Sequence, residues 1–204
     1  MESLNQIFLQ SLIEKAGNIY ETKKIILIME IRYRSQLYKL LPANPIVAEI
    51  GCAEGLFSLD ILRWPSGILY MVDNWETIPT QRGDGAFDQS WHDKNFDEAM
   101  HRVSEYKDNV IVLRGISWDM AKEVTDGTLD MVYIDACHSY ECVKKDLEAW
   151  TPKVKKGGIV AGHDFLNNAY GVNQAVIEFC KGKYTINVIS EHKNDDAGFY
   201  FIKV

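Results

Sequence analysis

The 204-residue chain has no CxxC pair, no long basic run and no apolar stretch of membrane-spanning length. Each absence removes a class of protein. The four cysteines, Cys52, Cys137, Cys142 and Cys180, are too sparse for the disulfide framework of a small secreted scaffold. They are expected to be reduced thiols, and the cytoplasm is the expected compartment. The net charge of −7, without a Lys/Arg stripe, argues against binding a nucleic-acid backbone. A bilayer span needs about 20 apolar residues, and nothing here approaches that. The opening MESLNQIFLQSLIEKAG lacks a basic n-region and a cleavage site, so no secretory leader and no membrane partner are expected. The G-x-G-x-x-G fingerprint is missing as well, which sets aside a nicotinamide-dependent oxidoreductase.

What is present is an alternation. Short apolar runs end in polar or glycine-bearing turns at 46–51, 68–75, 110–117, 129–136 and 158–165. Runs of this kind belong to parallel strands covered on both faces. Helical spacing fills the gaps at 54–64, 95–106, 118–124, 139–154 and 172–182. A polar turn around Asn194–Asp196 separates two last strands, 184–190 and 198–204, as a terminal antiparallel hairpin. The order βαβαβαβαβαββ predicts an α/β fold with a mainly parallel sheet over 45–204. Residues 1–44 read as a preceding helical cap, set off by Pro42 and Pro45. The stretch 76–94 is long for a βα connection, so it reads as a substrate lid or a surface insertion; Phe87 and Trp91 favour the lid.

Candidate chemistry collects at strand ends, where ligands bind in parallel sheets. The first turn is 49-EIGCAEG-55. Gly51 and Gly55 permit a tight turn and close approach of a ligand, while Glu49 and Glu54 would repel a pyrophosphate and tolerate a cation. Asp73, about 20 residues beyond Gly51, is placed either to accept ribose hydroxyls or to cap a turn. Ser117 and Trp118 follow the third strand, where an adenine ring would lie; Ser117 could equally be a helix N-cap. In 133-YIDACHSYECVKKDLEAW-150, Asp135 and His138 sit at the lip of the fourth strand, and Ser139 is an adequate N-cap. His138 is thereby left without an obvious structural duty. His92 and His101 read as solvated.

These turns, in this order, resemble the class I S-adenosylmethionine-dependent methyltransferases over roughly residues 46–204. Glu49, Gly51 and Gly55 match the motif that holds the methionine end of that cofactor, and Asp73 the acidic ribose-binding residue. D-x-x-H-x-Y-E-x-V-x-x-D-L-x-x-W-x-P from Asp135 and G-G-x-x-x-G-H-D-F from Gly157 resemble a small-molecule O-methyltransferase subgroup. That subgroup includes antibiotic-sugar and catechol-type enzymes.

The resemblance implies a Rossmann-like, doubly wound, mainly parallel seven-stranded sheet with a C-terminal hairpin and an N-terminal helical cap. It implies S-adenosylmethionine as cofactor, with Asp135 also lining its site. It further implies a divalent metal, Mg or Mn among others, on Asp135, His163 and Asp164, and His138 as general base. His163 departs from the carboxylate usual in the metal-dependent relatives, and imidazole suits Mn, Fe or Zn better than Mg. The expected partner is a small hydroxylated substrate, sugar or natural-product-like, and the expected assembly is at most a homodimer. A metal-independent N- or O-methyltransferase and a non-catalytic cofactor-binding relative remain as alternatives.

Overall fold

The computed structural model describes residues 31–64, 67–78, 86–167, 169–189 and 197–204. Seven strands form one sheet: β1 (Ile46–Ile50), β2 (Ile68–Asp73), β3 (Val110–Arg114), β4 (Leu129–Ile134), β5 (Val154–Gly162), β6 (Asn187–Ile189) and β7 (Gly198–Ile202). Their spatial order is β3-β2-β1-β4-β5-β7-β6. The first five pair in parallel, while β7 runs antiparallel to both β5 and β6. This is the Rossmann-like doubly wound sheet with a C-terminal hairpin that the sequence predicts.

Side-chain alternation builds two cores. Val47, Leu69, Met71, Met131, Tyr133, Ile159 and Ala161 point to one face. There they meet α1 (Leu56–Leu62), α2 (Gln89–Arg102) and the segment carrying Ile31 and Leu37. Ala48, Ile50, Val72, Val132, Ile134 and Val160 point to the other face, against α4 (Tyr140–Trp150) and α5 (Val172–Cys180). A period of two on the strands thus fills both layers. Helix α4 buries Val143, Asp146, Leu147 and Trp150, a stripe at i, i+3, i+4 and i+7 that includes one carboxylic acid. Ser139 caps it, its hydroxyl accepting from the Cys142 N–H at 3.3 Å.

Three expectations change. The long connection after β2 ends at Asp88, not Lys94. The Asp88 carboxylate accepts from the Trp91 N–H at 3.0 Å and starts α2 six residues before the apolar periodicity does, so Trp91 lies on a helix. His92, on that early turn, is buried rather than solvated. The segment before β1 is a 3₁₀ helix over Arg34–Leu40, and residues 1–30 of the expected cap lie outside the described residues. So does the tip of the hairpin. Among the described residues, no helix is long and apolar enough to cross a membrane.

A short four-residue helix, α3 (Ser117–Met120), follows β3 and is tied to α4. The fully buried Trp150 donates its indole N–H to Ser117 Oγ at 2.8 Å, and the Ser117 hydroxyl bonds the Asp146 carboxyl. Trp150→Phe keeps most of the apolar volume but leaves the serine one bond short. Urea unfolding of this variant is expected to show a loss of about 1–3 kcal/mol, against about 3–5 kcal/mol for Trp150→Ala. A Phe variant as stable as the parent would show that the indole bond contributes nothing.

Candidate functional site

The order of the sheet reverses between β1 and β4. The chain leaves β1 outward to β3 and returns on the other side as β4, so the loops after these two strands part and leave a crevice. The two lips touch through backbone. The Asp135 N–H donates to Ile50 O at 2.8 Å, and on the other side the Gly51 N–H ties the turn to β2 at Val72 O, also at 2.8 Å. Gly51 has φ +88°, and a Cβ there would stand 2.2 Å from the Asp135 carbonyl oxygen. Glycine is therefore required twice over at this position. Gly55 has φ +78° and brings α1 against Ala99 of α2.

Asp73 shapes the glycine turn. Its Oδ2 accepts from the Cys52 and Ala53 N–H groups, each at 2.9 Å, and Oδ1 accepts from the Trp75 N–H at 3.0 Å. The Trp75 indole N–H returns a bond to Ala53 O at 2.8 Å. Ala53 and Trp75 are both held at positive φ, 44° and 46°. A carboxylate has about four acceptor positions, so Oδ1 retains capacity for a further donor.

Glu49 points from β1 into the same face as Asp135. It is buried and accepts a hydrogen bond from the Ser58 hydroxyl on α1. Burial, reinforced by the Asp135 charge, raises its pKa to about 8 against the pull of Ser58 and Arg34. The carboxyl is thus protonated in neutral solution.

His138 lies between two carboxylates. Its Nε2 is 3.1 Å from Asp164 Oδ2 and 3.5 Å from Asp135 Oδ1. Burial alone would lower its pKa; the Asp135 hydrogen bond and the charges of Asp164 and Asp135 outweigh that and leave it raised. The loop after β5 holds it from behind. The Gly171 N–H donates to His138 O at 2.9 Å, and the Tyr170 ring lies 4.6 Å from the imidazole. Asp164 is buried and adopts φ +57°. Its other oxygen, Oδ1, is 3.3 Å from His163 Nδ1. His163 is likewise raised: burial lowers it, and Asp164 and Asp135 more than compensate.

The donor atoms of Asp135, His138 and Asp164 lie within 4.8 Å of one another. Cations such as Mg²⁺ bind oxygen at about 2.1 Å, and a spread of this size can close on such an ion. The grouping includes His138 where the sequence pointed to His163.

Ser117 is not a helix N-cap; that place is taken by Ile116, and the serine hydroxyl is engaged with Trp150 and Asp146. Trp118 is half-buried beneath Lys145, whose Nζ is 4.6 Å from its ring centre. Tyr170, Ser58 and Asp146 were not singled out from the sequence. Ser58 had a readable signal, three residues into the helix that the glycine turn starts.

The family model described as a methyltransferase domain matches residues 48–165, more than half of the chain and all of the lips just described. The chain belongs to this methyltransferase-domain family. The described fold agrees with solved methyltransferases at low identity. A Staphylococcus aureus protein assigned as a caffeoyl-CoA O-methyltransferase is 20% identical, with 100% of this chain and 93% of that one covered and a TM-score of 0.57. Precorrin-6y C5,15-methyltransferase of Geobacter metallireducens is 14% identical, covering 91% and 94%, with a TM-score of 0.61. A Streptococcus mutans protein assigned as a methyltransferase, in complex with S-adenosylhomocysteine, is 11% identical, covering 82% and 93%, at 0.59. The uncharacterized protein y4gI of Sinorhizobium fredii is 26% identical over 102 residues, 47% of this chain, and the match spans only 11% of that relative's length.

The buried carboxyls of this methyltransferase domain make a stability prediction. Glu49 titrates near 8 in the fold against 4.5 when free, and Asp146, raised chiefly by burial, near 7 against 3.8. Both bind a proton more tightly folded than unfolded, so stability is full below the free values and is lost as pH rises through the folded ones. Each group contributes a slope of up to about 1.4 kcal/mol per pH unit within its window. Urea unfolding from pH 5 to 8 is expected to show falling stability, and Glu49→Gln to flatten the fall. An unchanged slope in that variant would mean Glu49 is already ionised.

Proposed function

We propose that the protein is an S-adenosylmethionine-dependent methyltransferase acting on a hydroxyl oxygen of a small molecule. The observation that carries this reading is the contact between lips. The glycine turn, which the family resemblance gives to the cofactor, touches the strand end that carries Asp135 and, three residues on, His138. The acidic surroundings of that turn suit a cationic sulfonium and an ammonium group better than a phosphate. The net charge of −7, without a basic stripe, favours a small hydroxylated substrate over nucleic acid.

In this reading Glu49, Gly51 and Gly55 hold the methionine end. Asp73 holds the turn and, through the remaining capacity of Oδ1, the ribose. Ser117 and Trp118 flank the adenine. The substrate oxygen attacks the sulfonium methyl carbon in line, the C–S bond breaks, and its electron pair stays on sulfur as the neutral thioether. The hydroxyl proton goes to His138 Nε2, and the resulting imidazolium is stabilised by Asp164 and Asp135 on either side.

The clustering of Asp135, His138 and Asp164 favours a second reading, in which these three hold a divalent cation. Two carboxylates and an imidazole suit Mn, Fe or Zn. A bound cation would lower the pKa of a substrate hydroxyl. His138 Nε2 cannot ligate a cation and accept a proton at once, so the two readings assign that nitrogen differently.

Calorimetric titration with S-adenosylhomocysteine, once in EDTA and once in Mn²⁺, is expected to give micromolar binding. No binding in either condition would overturn the cofactor. His138→Ala should lower turnover about 10²–10⁴-fold with cofactor affinity nearly unchanged; a fully active variant removes His138 as base. Turnover abolished by EDTA and restored by Mn²⁺ would select the cation reading. Asp73→Ala should weaken cofactor binding by about 1–3 kcal/mol, and unchanged affinity would remove Asp73 from the ribose site.

A further inference from the structure

Arg34 opens the 3₁₀ helix before β1 and reaches into the crevice. Its guanidinium carbon lies 4.9 Å from the centre of the Phe57 ring, on the first turn of α1 directly after Gly55. Its Nη1 is 3.6 Å from Asp135 Oδ2, with about a third of the Arg34 side chain and a quarter of the Asp135 side chain exposed. That separation is a charge contact beyond hydrogen-bond length. Partly exposed ion pairs of this kind stabilise little.

Arg34 joins the first turn of α1 to the end of β4. Glu49 and Asp135 follow the odd positions of two neighbouring strands and so share the face on which it lies, and its charge lowers the pKa of Glu49. The guanidinium lies over the Phe57 ring, and its parallel N–H groups match a carboxylate.

An amino-acid ligand end carries both signs. Asp135 is the charged acid that would receive its ammonium, with the neutral Glu49 carboxyl beside it as a hydrogen-bond acceptor, and its carboxylate needs a cation next to them. We propose that Arg34 recognises the α-carboxylate of the cofactor's amino-acid end, making the segment before β1 part of the cofactor site. This assignment rests on the S-adenosylmethionine reading above.

The test compares two probes by calorimetry: S-adenosylhomocysteine, and its decarboxylated analogue 5′-(3-aminopropylthio)-5′-deoxyadenosine, which keeps the amine. The unaltered protein is expected to favour the carboxylated ligand. Arg34→Ala should weaken S-adenosylhomocysteine by about tenfold to a hundredfold and leave the analogue within about twofold, which also shows that the variant is folded. Arg34→Lys, a point charge without the fork, should fall between. Equal weakening of both probes would make Arg34 a structural counter-ion, and no weakening of either would remove it from the site; both results overturn the proposal. Failure of the unaltered protein to bind either probe would sink the cofactor reading and this assignment with it.

Discussion

The site depends on one backbone contact, the glycine turn after β1 lying on the carbonyl of Asp135 after β4. Both strands end there because the sheet changes direction between them, and the helices that follow pack on opposite faces. A side chain at Gly51 would need 2.2 Å to become ordinary contact distance, which means separating β1 from β4 at their ends. That separation would break the Asp135-to-Ile50 bond and move His138, three residues farther along, away from the turn. The geometry of a bound ligand and the geometry of the acid–base group are thereby set by the same hydrogen bonds.

The crevice gathers acids and compensates each one differently. Glu49 keeps its proton, Asp73 receives three backbone N–H groups, Asp164 lies between two imidazoles, and Asp135 faces Arg34 and His138. Buried carboxylates without such partners would not stay charged. The compensations are a proton on Glu49, backbone dipoles on Asp73, and cationic side chains on Asp135 and Asp164. A cationic group is favoured beside Asp135 and Asp164, whereas a phosphate at that point would meet the charge of both. This selectivity follows from the charges alone.

Much of this was legible before any coordinates, and the reason is periodicity. Runs of β-branched residues ended by glycine or acid identify parallel strands and their lips, so Gly51, Asp73 and Asp135 could be located in advance, while Asp164 came only from the family resemblance. Ser139 as the cap of α4 followed from spacing. What escaped was set by direction rather than by order along the chain. Helix α2 is polar through its first turns, and a cap at Asp88 starts it without an apolar repeat to signal the fact. The burial of His92 comes with that early start. The resemblance put His163 on the metal and left His138 as the base. The left-handed backbone at Asp164 decides how the end of β5 turns, and it is His138 whose donor atom joins Asp135 and Asp164 within 4.8 Å. Arg34 lies about a hundred residues from Asp135 in the chain, and no local pattern couples them.

The position of His138 carries a consequence for how the domain works. Its carbonyl is bonded to Gly171, and its ring packs on Tyr170, so the imidazole is tied to the entry of α5 as well as to the lip of β4. Gly171 cannot be replaced freely, since a Cβ there would stand 2.2 Å from the Tyr140 nitrogen at the start of α4. The loops after β4 and β5 therefore behave as one unit around the imidazole. Two carboxylates can favour its protonated form, or hold a cation with it, only because that unit points Nε2 between them. In either reading of that nitrogen, the loop after β5 orients it, although no atom of Tyr170 or Gly171 needs to take part in the chemistry.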